Sequence, residues 1–136
     1  MTDQEFEAQF AQATLPSSLF DHKAHLRLAW IHCHKYGVES AVVSVSQQIR
    51  RYTQSLGAKD KFNATLTEAA IRAVDHFMRK STAISFSGFL EEFPRLRSHF
   101  KDLIAAHYSF DIYIDPQAKR QFLAPDLLPF DKQNIQ

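Results

Sequence analysis

Glycine is almost absent from this chain, with three residues in 136, at Gly37, Gly57 and Gly88. Hairpins and tight inter-strand connections draw on residues with positive φ, and glycine is their default supplier. A chain this poor in glycine has few such turns to give. Its hydrophobic residues instead recur every three or four positions, which is the helical period. The expectation is an all-α fold, a single compact helical bundle of about five to seven helices over residues 1–136. With 45% hydrophobic residues and twelve Phe, a core of ordinary size forms without a disulfide or metal.

Local signals place the helices. Thr2-Asp3-Gln4-Glu5 reads as a capping box, and Phe6, Phe10 and Ala13 share the face behind it. Leu15-Pro16-Ser17-Ser18 ends that helix. Asp21 is a good N-cap for a second helix to about Tyr36, which Gly37 closes. Val38, Val42, Val45, Ile49, Tyr52 and Leu56 form one stripe of a third helix ended by Gly57. Residues 58–63 form a polar loop. Thr65-Leu66-Thr67-Glu68 reads as a second capping box opening a helix to about Lys80. Ser85 or Ser87 caps a short helix ending near Phe93. Pro94 starts a long helix that carries Leu96, Phe100, Leu103, Ile104 and His107. Asp115-Pro116 begins a last short helix to about Phe122. The tail packs through Leu127, Leu128 and Phe130.

Charge narrows the function classes. The net charge is +1, so no broad positive field exists to recruit nucleic acid. No apolar run is long enough to span a membrane, and the acidic N-terminus does not read as a secretory signal. Cys33 is the single cysteine, which fits a reducing, cytoplasmic setting and excludes a multi-thiolate zinc site. There is no P-loop, dinucleotide fingerprint or serine nucleophile motif.

The second helix carries the most chemistry. At 100° per residue, His22, His25, Ala29, His32 and Tyr36 fall within an arc of roughly 80°. Leu26, Trp30 and Cys33 lie beside them, so the polar stripe adjoins the core face, while His34 falls with Lys23 and Arg27 towards solvent. Imidazole titrates near physiological pH and is the commonest metal ligand. Two of them at i and i+3 reach one point above the helix. His22 and His25 are therefore the candidate proton-transfer or ligand-orienting groups. The plainer reading is that they cap, pack or face water. A metal is not expected, because a site needs a third and a fourth ligand. Neither His-Glu-x-x-His nor Glu-x-x-His occurs; His76, His99, His107 or Asp111 could complete a site, but the sequence does not choose among them.

Asn63, Thr65 and Thr67 cluster at a helix start, where free N–H groups suit a polar ligand. Ordinary capping by Thr65 with Glu68 accounts for part of that cluster. His107 suits the negative end of its helix without any catalysis. Tyr108 has a hydroxyl to place in a pocket or to satisfy within the core. Cys33 reads as an inert buried thiol.

Three segments together resemble a bacterial family of small helical proteins without an assigned activity. They are Phe20-Asp21-His22-Lys23-Ala24-His25-Leu26-Arg27-Leu28-Ala29-Trp30, then Lys61-Phe62-Asn63-Ala64-Thr65-Leu66-Thr67, and His107-Tyr108-Ser109 with Ala124-Pro125-Asp126-Leu127. The family's second segment more often has His where this chain has Asn63, and near the C-terminus Arg where it has Lys119. The resemblance implies a shared helical fold and no reaction. It also implies that the His22/His25 face meets the Asn63/Thr65/Thr67 helix start and Tyr108.

The sequence thus supports two functions. One is a small-molecule-binding domain with acid/base potential: His22 and His25 act on the ligand, Asn63, Thr65, Thr67 and Tyr108 hydrogen-bond it, and Trp30 forms an apolar wall. No cofactor is specified. The other is a non-catalytic interaction module, a homodimer, suggested by apolar Leu28 and Ile31 on a second side of the histidine helix.

Overall fold

The computed structural model describes residues 1–130 and is all-α. Eight helices succeed one another among the described residues: α1 (Asp3–Ala11), α2 (His22–Tyr36), α3 (Val38–Ser55), α4 (Ala64–Met78), α5 (Phe86–Glu92), α6 (Arg95–Ser98), α7 (Phe100–Ala105) and α8 (Pro116–Arg120). Single 3-10 turns lie at Ser17–Leu19 and Lys59–Lys61. None of these helices is long and apolar enough to cross a membrane.

The core is a trio. α2, α3 and α4 pack against one another, α1 crosses α2 and α3, and α8 lies on α4. α2 and α3 meet at Gly37, whose φ of 88° is cheap only for glycine. Its N–H closes α2 on the Cys33 carbonyl, and its own carbonyl accepts from Ala41 to open α3. The chain therefore reverses sharply there, so that α2 and α4 start at the end of the trio where α3 finishes. Of the expected α3 stripe, Val45, Ile49 and Tyr52 are buried, with Ala41 beside them; Val38 and Val42 are half-buried, and Leu56, at the helix end, is exposed. α1 is tied to α2 by Arg27–Asp3 and Lys35–Glu7 ion pairs of 2.8 and 2.7 Å.

Several local expectations change. α4 is capped by Asn63, whose Oδ1 accepts from the Leu66 N–H at 2.9 Å, rather than by Thr65. The reason is tertiary: Thr65 is fully buried (0% exposed) and spends its hydroxyl on the distant 121–123 segment. The long helix after Pro94 is broken at His99 (φ −134°, ψ 35°) into α6 and α7. There the Ser98 hydroxyl donates back to the Pro94 carbonyl and also bonds His99 Nδ1, the local competition that bends or ends helices. α8 stops at Arg120. In the tail Leu128 and Phe130 are half-buried, but Leu127 is 59% exposed. Leu28 and Ile31 lie in the core, so they provide no second surface on α2 for a partner.

Candidate functional site

A cavity of about 510 Å³ opens where α2 and α4 begin and α3 ends. Its walls are largely hydrocarbon: Leu26 and Ala29 of α2, Val45 and Ile49 of α3, Leu66 and Ile71 of α4, and Phe100 of α7. Polar groups enter mainly from the two helix starts. His22 and His25 come from the first turns of α2, and Asn63 and Thr67 from the start of α4. Lys61 and Asp21, both exposed, stand at its mouth, and Tyr113 contributes from the loop before α8.

Each imidazole has one nitrogen committed to a carbonyl. His25 Nδ1 is 2.9 Å from the Asp21 carbonyl oxygen, so the ring donates there and Nε2 keeps the lone pair of the neutral form. His22 Nε2 lies 3.0 Å from the Leu96 carbonyl, so it donates and leaves Nδ1 bare. The His25 ring stacks on Phe20 at 3.9 Å between centroids. Phe20 in turn touches Phe10 and Tyr52 at 4.8 and 5.1 Å. His25 is thus oriented from below by a hydrogen bond and from the side by an aromatic cluster. Burial holds its pKa below the usual imidazole range. The Asp21 carbonyl opposes that shift, and the neighbouring His22 adds to it. At neutral pH the ring is a hydrogen-bond acceptor and a base, not a cation. His22 is the more exposed of the two, with its ring 4.9 Å from Phe100 at the cavity edge.

The other residues singled out from sequence divide. Thr67 lines the cavity, half-buried, and its hydroxyl has no hydrogen-bond partner among the described residues. Asn63 lines it too, but its amide is spent: Oδ1 caps α4 and Nδ2 donates to the Ile112 carbonyl at 2.8 Å. Thr65 lies outside the cavity. It donates to the Gln121 carbonyl at 2.9 Å and accepts from the Leu123 N–H at 3.0 Å. Tyr108 also lies outside, buried, with its hydroxyl donating to the Leu123 carbonyl at 2.8 Å. Trp30 is buried on another side of α2, parallel to His34 and beside Phe86. The expected apolar wall is formed by Phe20, Phe62 and Phe100 instead. Phe20, Lys61 and Tyr113 were not anticipated. Phe20 sits just before the α2 cap and Lys61 just before the α4 cap, positions that suggest a place near the helix starts. Nothing local in the sequence marks Tyr113.

His32, in line with His25 on α2, belongs to a different environment. It is 2% exposed, and neither ring nitrogen has a hydrogen-bond partner among the described residues. Among the described residues no three His, Cys, Asp or Glu side chains are grouped to hold a metal ion. No protein-family model, curated protein or solved structure matches the chain.

Proposed function

We propose that this domain binds a small, largely apolar molecule in the cavity at the start of α2 and α4, with its polar end against His25. The observation that carries this reading is the fixed tautomer of His25. A ring held by the Asp21 carbonyl and by Phe20 leaves an Nε2 lone pair with no partner of its own at a cavity of about 510 Å³. That size and lining, mostly hydrocarbon with a few oriented polar groups, are those of ligand pockets in general.

The ligand offers His25 a hydrogen-bond donor. Thr67 and Tyr113 supply hydroxyls that donate or accept around the same space. His22 stands one turn earlier on the same helix face, and its bare Nδ1 is a second acceptor at the rim. A neutral imidazole placed in this way is competent to take a proton from a bound molecule, which is the general-base role. Acid/base chemistry is thus within reach of the pair, with His25 as the base and His22 as the relay to solvent.

The test uses the full chain. Fragments screened by ligand-observed NMR are expected to include binders that perturb the backbone amides around His25 and Thr67. The same binders should be lost in Ala70→Phe, which places a ring in the cavity from α4, and weakened in His25→Phe. Binders that survive both substitutions unchanged, or a library with no binders, would overturn the reading.

A further inference from the structure

A second cavity, of about 330 Å³, lies towards the other end of α4, against its last turns and under the 128–130 segment. Its apolar walls are Phe77 of α4, Leu103 and Ile104 of α7, and Leu128 and Phe130. Four polar side chains also line it: His76, His107, Arg95 and Asp102. The covering segment is pinned, not loose. The Leu127 N–H donates to the His107 carbonyl at 3.0 Å, Ser109 bonds Asp126, and His107 Nδ1 donates to the Leu128 carbonyl at 2.6 Å.

The polar groups have a pattern. Arg95 and Asp102 carry opposite charges on one cavity, yet no ion pair joins them, and neither side chain has a hydrogen-bond partner among the described residues. Both side chains are exposed, so water solvates their charges in the empty cavity and both remain available to a ligand. His107, stacked on Phe130 at 4.1 Å, has given Nδ1 to the Leu128 carbonyl, so its Nε2 is an acceptor. His76 is neutral at physiological pH. Burial pulls its pKa down to about 4, with Lys80, Arg79 and His107 adding to the shift.

We propose that this cavity binds a small zwitterion with an apolar body, an apolar α-amino acid, with its carboxylate on Arg95 and its ammonium on Asp102 and His107. A simple carboxylic acid would leave Asp102 as an opposing charge, and a simple amine would leave Arg95 so. A molecule carrying both charges satisfies both groups, and the apolar walls take its side chain. Charge-assisted hydrogen bonds at the two ends supply specificity.

The experiment is calorimetric titration of the full chain with leucine and phenylalanine, and with N-acetyl-leucine and leucinamide, which each lack one charge. Saturable binding of the free amino acids is expected, with each blocked analogue weaker by roughly tenfold or more. Arg95→Gln and Asp102→Asn are exposed substitutions, and each should weaken leucine by a similar factor while circular dichroism stays unchanged. His25→Phe should leave leucine binding as it is. Three results would each overturn the proposal: no saturable binding at millimolar amino acid, analogues that bind as well as leucine, or binding lost in His25→Phe but kept in Arg95→Gln.

Discussion

His25 and Phe20 form a stacked pair, with ring centroids 3.9 Å apart and 24° between their planes. The stack and the Asp21 carbonyl together decide which nitrogen of His25 carries its proton and how far the ring can turn. In the folded chain His25 therefore titrates below the 6.5 of a free imidazole, because burial disfavours the charged ring more than the carbonyl favours it. Carbon-detected NMR titration of the ring should give a midpoint below 6.5, with the Nδ1–H tautomer dominant above it. Phe20→Ala opens the ring to water and should raise that midpoint. It should also cost roughly 1–3 kcal/mol of stability from lost aromatic burial. A wild-type midpoint at or above 6.5 would contradict the geometry.

Periodicity and capping residues made most of this fold legible. Asp21 does cap α2, Gly37 does turn the chain into α3, and Asp115 with Pro116 does open α8. These are local events, set by side chains within four residues of the bond they make. What could not be read was tertiary. The Thr65 hydroxyl serves the backbone 56 and 58 residues away, at Gln121 and Leu123, so a local capping signal was overridden by a distant need. In the same way the angle of a side chain on α2 told that His22 and His25 share a face. Only the packing of α3 and α4 decides that the hollow lies over His25 and not over Trp30. Tyr113 reaches the cavity through a loop whose path no period describes.

The Thr65 bridge should weigh more in stability than any exposed cap. Replacing Thr65 by Val keeps the shape but strands the Gln121 carbonyl and the Leu123 N–H. Two groups at about 1–3 kcal/mol each when buried set an upper range of about 2–6 kcal/mol, and the loss should lie at its lower end because Gln121 is exposed and Leu123 half-buried. Thr65→Ser keeps the hydroxyl, loses one methyl, and should cost only about 1 kcal/mol. Urea unfolding of the two variants checks the ratio. Equal losses in both would mean that the hydroxyl contributes little.

Cys33 should be unreactive in the folded protein. Its thiol is buried against the Ile71 carbonyl, and burial pushes its pKa up to about 12, with Asp75 adding to the effect. The thiolate is the reacting species, so Ellman's reagent at about pH 8 should label the native chain only as fast as it opens. Complete labelling is expected at once in guanidinium chloride. Rapid native labelling would place the thiol at the surface, against the packing described above.

His32 should make the fold acid-sensitive. Its ring is 2% exposed, with one N–H and one lone pair unsatisfied, and sits 5.3 Å from the Tyr36 ring. Burial lowers its pKa from 6.5. The charge of Glu7 pulls the other way, and that of Lys35 adds to the lowering. On acidification the unfolded chain therefore binds this proton first. The contribution to stability is complete above about pH 6.5 and is lost as pH falls towards the folded pKa, by no more than about 1.4 kcal/mol per pH unit. His25 and His76, also lowered by burial, act in the same direction. His32→Leu removes both the titration and the two orphaned nitrogens. It should match or exceed the wild type in urea midpoint at about pH 7.5, and its advantage should widen at about pH 5. An advantage of the same size at both pH values would show that His32 binds its proton equally in the folded and unfolded states, and that the acid sensitivity arises elsewhere.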